Sequence, residues 1–455
     1  MNPWMVRHLT WPLHQLKTNR RVWSWYRNLL ESQWWSPGEL QLWQEEHLRR
    51  LLLHAAQHVP YYREQFRIRG LELEAPLRIS HWYRIPVLSK AVVRERFEQL
   101  QATDRPRPFS MAQTSGSTGL PVLWRIDRQA GEAHKAAKLR TRHWWGFQIG
   151  DRHVWLWGRD EFLGRRKALR DLVVYNKRVL GLLELSDQTI ESYYRDLLSW
   201  RPRYLYAYPS GVVQLAKLCH RHGYNLKALH LGGVISTAEV LTQVHRRYIQ
   251  ETFGCPAINE YGCSESQVIA FECPQGNMHL NVDTLLVEFL RDGQPVGPSE
   301  LGEIVVTDLF NETMPLIRYQ TGDLGRLKSG LCPCGRTLPL MELSVGRELE
   351  MVRLSDGRLV HPEVFTPPHD NPLFALVDQF RVIQESSTHF RVQVVTAQEQ
   401  LETVRQHFVH LIVSQLGNGF DIEVEQVAEI PRDPSGKLRY FVSAIKPQSM
   451  LAEAP

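Results

Sequence analysis

Cysteine is scarce, with six in 455 residues, too few for the disulfide framework of a secreted scaffold. Long apolar runs are missing as well. No stretch is long enough to span a bilayer, and Met1–Arg21 mixes Trp4, His8, Trp11, His14 and Lys17 among short apolar pieces instead of forming the apolar core of a signal peptide. These absences predict a reducing, cytoplasmic compartment and no transmembrane segment. Neither sign of charge dominates: 54 Lys and Arg against 49 Asp and Glu leave +5. The basic residues are scattered and form no stripe, which argues against nucleic acid and suits small anionic ligands. Internal repeats and low-complexity tracts are also absent.

What the chain does have is enough apolar residue, 43%, to build more than one core, and a length that predicts at least two domains. From Trp23 to Phe66, Leu40, Leu42, Leu48, Leu51, Leu52 and Ala55 recur at helical spacing and predict an amphipathic helical opening closed by Pro60. Its Trp34-Trp35 pair and basic residues read as a buried structural face, with a membrane surface as the alternative. Further on, strand and helix patterns alternate: strands at 122–126, 154–157, 204–208 and 229–235, helices at 129–145, 190–200, 212–222 and 238–253. Such alternation predicts a parallel or mixed sheet covered by helices, with ligands beyond the strand ends. From Leu285 the pattern turns antiparallel, with strands at 287–290 and 302–307 about an Asp292-Gly293 turn. The last hundred-odd residues read as a compact α+β module, with strands at 380–383, 390–395 and 422–427 and a helix at 399–416. The expected fold is therefore α/β: a large N-terminal domain (1–345) with a β-rich subdomain, and a small, mobile α+β C-terminal domain (346–455).

The most conspicuous local signal is Thr114-Ser115-Gly116-Ser117-Thr118-Gly119-Leu120-Pro121. Two glycines and four hydroxyl residues make a loop whose free N–H groups and hydroxyls suit an oxyanion. It lacks the Gly-Lys-Ser/Thr ending of the common phosphate-binding loop, so a catalytic cation must come from elsewhere. An isolated octet of this kind would be read as a polar surface turn. Four more motifs follow in order: Asn259-Glu260-Tyr261-Gly262-Cys263-Ser264-Glu265, Tyr319-Gln320-Thr321-Gly322-Asp323, Gly346-Arg347, and Pro431-Arg432-Asp433-Pro434-Ser435-Gly436-Lys437.

Together the five resemble the adenylate-forming superfamily of acyl-CoA synthetases and adenylation domains. The opening with Pro60-Tyr61-Tyr62 and the run Cys332-Pro333-Cys334-Gly335-Arg336-Thr337 look like the phenylacetate-CoA ligase branch, which includes relatives in capsule-type gene clusters. The resemblance covers nearly the whole chain. It implies an enzyme that joins a carboxylic acid, aryl or related, to the α-phosphate of ATP, releases pyrophosphate, and passes the acyl group to a thiol such as CoA. Three anions meet in such a reaction, so positive and dipolar groups must be preorganised around them. On this reading Thr114 to Gly119 hold the leaving phosphates, and Glu265 is a hard oxygen ligand for Mg²⁺. Glu260, Tyr261 and Gly262 belong to the nucleotide site, with Tyr261 offering a flat face to adenine. The family pattern has Asp323 accepting both ribose hydroxyls and Arg347 adding a ribose or phosphate contact. Lys437 is then the missing cation, delivered by the small domain when chemistry is due.

The chain departs from the family at its hinge, where Leu349 stands between Glu348 and Glu350, and in the loop Ser355-Asp356-Gly357-Arg358. Adenylation stays intact on this reading, while the domain rotation that admits CoA is put in question. An amine, a carrier protein or a sugar-linked acceptor therefore remains open beside CoA. So does a nucleotide-binding scaffold without turnover, although the presence of Glu265, Asp323 and Lys437 weighs against it.

A separate signal comes from Cys273, His279, Cys332 and Cys334, three thiols and one imidazole from two loops, which suit a closed tetrahedral structural Zn²⁺. Cys219 and Cys255 read as small core residues, and Cys263 has no evident base that would make it a nucleophile. Trp155, Trp157, Tyr206, Tyr208 and Pro209 either line an acyl slot or simply fill the core.

Overall fold

The computed structural model describes the chain except for residues 72–81, 105–106, 114–121, 159–164, 348–351, 357, 361, 368–370, 434–436 and 446–455. It divides into two compact units. One comprises residues 1–151, 169–176 and 259–344; the other comprises 152–168, 177–258 and 345–455.

The first unit opens on helices. Residues 3–17 form one continuous helical segment with a π-helical turn at Val6–Thr10. The helices Val22–Ser32, Pro37–His58 and Pro60–Ile68 follow. Ser36 starts the long helix through a reciprocal capping box with Glu39, satisfying N–H groups the first turn leaves without partners. Pro60 does not close the helical opening as expected; it is the first residue of the next helix. Its missing N–H and fixed φ suit the N1 position, so a proline that ends one helix can begin another.

The strands Phe109–Gln113 and Leu123–Asp127 pair antiparallel, with Gln113 opposite Leu123. The hydroxyl-rich run 114–121 between them lies outside the described residues. Asp127 caps the helix Arg128–His143 by accepting from the Ala130 N–H at 2.9 Å. In the same unit a β-rich sheet runs in the order Gln294–Pro295, Leu285–Arg291, Gly302–Asp308, Tyr319–Lys328, Leu340–Arg347, Met278–Leu280, Gln267–Glu272, Ala257–Cys263. The antiparallel pairing of Leu285–Arg291 with Gly302–Asp308 agrees with the sequence expectation.

In the second unit four strands are parallel, in the order Gly233–Thr237, Tyr204–Ala207, His153–Trp157, Lys177–Gly181. The helices Ile190–Trp200, Pro209–Arg221 and Gln243–Phe253 connect or follow them. Two expected boundaries move. The helix predicted from Ala238 begins at Gln243, because Thr242 takes the cap and accepts from the His245 N–H at 3.1 Å, while Ala238 sits at φ +66°. The strand predicted from Leu229 begins at Gly233, since Leu226–Leu229 closes a 3₁₀ turn. Residues 379–443 form a four-stranded sheet with the helix Leu401–Leu416, sharing a core of Val382, Phe390, Val392, Phe408 and Ile412. The architecture is mixed α/β, with a large sheet-rich N-terminal part and a smaller α+β C-terminal module.

Candidate active site

The first unit gathers the nucleotide-side motifs around the start of the strand Tyr319–Lys328. Arg318 precedes that strand at φ +55° and is 1% exposed. Its guanidinium donates to the carbonyls of Ile85 at 2.6 Å and Tyr83 at 3.3 Å, and to Glu288 Oε2 at 3.2 Å. The chain at Leu88 is thereby drawn alongside: its N–H donates to the Arg318 carbonyl at 2.8 Å and its carbonyl accepts from the Gln320 N–H at 3.0 Å. Two residues on, Lys90 Nζ donates to the Thr321 carbonyl at 2.9 Å. A cation thus stands beside Gly322 and Asp323 within the strand, where Gly322 adopts φ +86°.

Asp323 is oriented by two groups. Its N–H donates to Thr321 Oγ1 at 3.1 Å, and its Oδ2 accepts from the Tyr261 hydroxyl at 3.0 Å. Burial pushes the Tyr261 phenol well above its ordinary value, and the neighbouring Asp323 carboxylate adds to this, so the group stays a donor. Glu265, 4% exposed, accepts from the buried Tyr319 hydroxyl. Glu260 is equally buried, with Lys138 Nζ at 3.7 Å. Gly262 sits at a register shift between the strands Ala257–Cys263 and Gln267–Glu272, where a Cβ would lie 1.9 Å from the Gln267 carbonyl oxygen. Only glycine fits there. The Cys263 thiol is pushed far up by burial, with Glu265 beside it; a protonated thiol agrees with its reading as a bystander.

The structure therefore joins Tyr261 to Asp323 and Tyr319 to Glu265, pairings that sequence motifs alone do not express. Tyr319 stands in a motif whose resemblance implies a role only for Asp323, and Lys90 lies outside all five motifs. Thr114, Ser115, Gly116, Ser117, Thr118 and Gly119 lie outside the described residues. Arg347 ends the strand Leu340–Arg347, and Leu349, Glu348 and Glu350 are not described.

In the second unit Lys437 is half-buried. Its N–H donates to Asp433 Oδ1 at 3.1 Å, and its carbonyl accepts from the Asp433 N–H at 3.0 Å. The Leu438 N–H donates to Glu239 Oε1 at 3.0 Å. Glu239 also accepts from the Ser210 N–H at 3.1 Å and hydroxyl at 3.0 Å, at the first turn of the helix Pro209–Arg221. Arg432 donates to Ser210 Oγ at 2.9 Å and to Gln214 Oε1 at 2.8 Å. Arg432 and Leu438 are thus tied to that helix start, Leu438 through Glu239; the motifs imply no role for Glu239 or Arg432.

Above the same parallel strands the aromatics form a continuous wall. Trp155 lies opposite Tyr206 in register with ring centroids 4.7 Å apart, and Trp157 packs on Tyr206 at 5.6 Å and Tyr208 at 4.1 Å. Both tyrosines are buried while both tryptophans are half-buried. Lys177 Nζ lies 4.4 Å from the Trp155 ring centroid.

Cys273, His279, Cys332 and Cys334 converge, with all four ligand atoms within 4.8 Å of one another. Cys273 Sγ is 3.6 Å from Cys332 Sγ, and Cys334 Sγ is 3.3 Å from His279 Nε2. The His279 Nδ1–H donates to the Leu338 carbonyl at 2.9 Å, which leaves Nε2 facing the thiols. Asn277 Nδ2 donates to Cys332 Sγ at 3.3 Å. Burial pushes the Cys273 thiol up to about 12 and brings His279 down to about 4. At Cys334 burial opposes ionisation but is outweighed by hydrogen bonds from Arg336, so its thiol falls below the ordinary value. A neutral imidazole and three sulfurs fit a tetrahedral thiophilic cation, and none of the four positions is left for a substrate.

The CapK C-terminal domain family matches residues 355–444. Over 441 residues the chain is 25% identical to a phenylacetate-coenzyme A ligase of Thermus thermophilus, spanning 88% of this chain and 96% of that one. It is 21% identical over 381 residues to Protein CapK of Staphylococcus aureus, covering 81% and 82% of the two chains. Among solved structures, 2-hydroxyisobutyryl-CoA ligase bound to R3-HIB-AMP in its postadenylation state superposes with a TM-score of 0.74 at 19% identity, over 90% of each chain. Fold and motifs together are those of an adenylate-forming ligase. Within that class the chain is phenylacetate-CoA ligase-like, with a CapK-type C-terminal module.

Proposed function

We propose that the protein activates a carboxylic acid with ATP to an acyl-adenylate, releases pyrophosphate, and transfers the acyl group to CoA. The observation that carries this reading is the joint presence of a held ribose-type acceptor, Asp323 on Tyr261, and a held metal-type carboxylate, Glu265 on Tyr319, within one strand start. Asp323 would accept the ribose hydroxyls, and Arg347 would add a contact to ribose or phosphate. Glu265 would hold the Mg²⁺ that neutralises the phosphates, with Glu260 and Gly262 shaping the same pocket and Thr114 to Gly119 donating to the leaving pyrophosphate. Lys437, carried by the module from residue 346 onward, would supply positive charge while carboxylate, α-phosphate and pyrophosphate share the site. The aromatic wall from Trp155 to Tyr208 favours an apolar or aryl acid.

Cys273, His279, Cys332 and Cys334 would hold a structural Zn²⁺. Its role would be to tie the turn after Glu272 to the turn at residues 331–335, with no part in the chemistry. A cytoplasmic setting, where ATP and CoA are present, fits six cysteines of which none is in a disulfide.

Exchange of labelled pyrophosphate into ATP, dependent on an added carboxylic acid, tests the first half-reaction across an acid panel. No exchange with any acid would leave the scaffold reading. Leu349 at the hinge would permit a second acceptor class, an amine, a carrier protein or a sugar-linked group. Product analysis with and without CoA decides between the two.

A further inference from the structure

The helical segment 3–17 is apolar on two faces. One face is anchored: Val6 and Trp11 are buried in a core with Val22, Tyr26, Leu29, Ala137 and Ile149. Arg7 Nε donates to the Ile149 carbonyl at 2.9 Å and Thr10 Oγ1 to the Val173 carbonyl at 2.8 Å. Gly150, at φ +89°, admits the helix because a Cβ there would lie 2.6 Å from the Pro3 carbonyl oxygen. The segment is thus held against the body of its unit.

The other face is bare. Met5, Leu9, Leu13 and Leu16, spaced as one side of a helix, are 41%, 48%, 54% and 77% exposed; Trp4 is 64% exposed, and Trp23 on the next helix 46%. Six of the fifteen exposed large hydrophobic side chains among the described residues therefore fall between residues 4 and 23. The charge around them has one sign. Residues 1–30 contain no Asp or Glu, whereas Arg7, Lys17, Arg20, Arg21 and Arg27 are basic. All but Arg7 of these five are exposed.

We propose that this face is a membrane-docking surface: a preformed amphipathic segment that lies on an anionic phospholipid bilayer, with Trp4, Leu9, Leu13, Leu16 and Trp23 in the headgroup–acyl boundary and Lys17, Arg20 and Arg21 on the lipid phosphates. Apolar insertion and attraction to anionic headgroups are the two contributions such interfacial helices combine. The helix is too short and too polar to cross a bilayer, and no described helix is long and apolar enough to do so. Docking would hold the enzyme beside lipid-borne acids or acceptors.

The test is co-sedimentation of the full chain with vesicles of phosphatidylcholine alone and of phosphatidylcholine with phosphatidylglycerol. Binding is expected to the anionic vesicles, weakening by roughly fivefold per basic residue neutralised and falling as salt is raised. Leu13→Glu with Leu16→Glu should reduce partitioning by at least about tenfold, while Lys17→Glu with Arg20→Glu should abolish the preference for anionic lipid. Melting temperature and pyrophosphate exchange should not change in either variant, since these side chains are exposed and outside the nucleotide site. Absence of sedimentation with anionic vesicles at low salt overturns the proposal, as does equal binding by parent and Leu13→Glu/Leu16→Glu. A lipid-free dimer dispersed by that double variant would assign the face to a second copy of the chain and overturn it as well.

Discussion

Tyr261→Phe removes the hydroxyl that orients Asp323 in the candidate nucleotide site. The ring stays, so any contact of its face with adenine stays, and only the hydroxyl that donates to Asp323 Oδ2 at 3.0 Å is lost. Tyr261 is 7% exposed, and water cannot readily replace the donor. A hydrogen bond to a charged group contributes about 1.5–3 kcal/mol. On the proposed reading Asp323 would touch the nucleotide in ground and transition states alike, so that loss should fall on binding: KM for ATP should rise about 10- to 100-fold with kcat changed by less than about threefold. The assay is acid-dependent pyrophosphate exchange over a range of ATP concentrations. An unchanged KM would mean that Asp323 does not need this donor. A drop in kcat at constant KM would mean that Tyr261 acts on the reacting phosphate, and the assignment of Asp323 to the ribose would fail.

Lys437→Ala should lower pyrophosphate exchange by on the order of 10²-fold or more, yet still allow transfer from a presynthesised acyl-adenylate, because the second half-reaction has no pentavalent phosphorus to stabilise; parental exchange would reduce Lys437 to a surface residue. Purified protein should carry about one zinc per chain, and Cys332→Ser should lower metal content and melting temperature together, by on the order of a few kcal/mol of stability; metal-free protein that melts at an undiminished temperature would refute the site. Lys217 gives a pH test. Burial lowers its ammonium to about 8, and Nζ donates to the Phe374 and Val377 carbonyls at 2.7 Å each. Between pH 8 and the unfolded value near 10.4 the unfolded chain holds a proton the folded one has lost, so stability rises with pH over that window. Urea midpoints should show this rise in the parent and a flatter profile in Lys217→Met; parallel profiles would mean the ammonium is not desolvated.

The motifs of the candidate site were legible in the sequence because each is a short run. Glycine where only glycine fits, a carboxylate next to a glycine turn, and cysteines two apart are properties of neighbours in sequence. The groups that orient them are not neighbours. Tyr319 reaches Glu265 and Tyr261 reaches Asp323 across strands, Lys90 reaches Thr321 from a distant segment, and Glu239 receives Leu438 from almost two hundred residues away. No periodicity encodes such pairs. They follow from sheet order and from Arg318 drawing the 83–90 segment onto the strand.

By itself the sequence determined the alternation of strands and helices, the α+β character of the last hundred residues and the antiparallel pairing after Leu285, and it singled out the three thiols and one imidazole that the fold brings together, because hydrophobic period and residue chemistry are local. Tertiary structure decided where those elements begin and end, as at Pro60 and Thr242, where capping overrode period. It also decided which face of the first helix is covered. Val6 and Leu9 are both apolar in sequence, yet one is buried and the other is 48% exposed, a distinction that exists only once Gly150 and Ile149 have packed against one side.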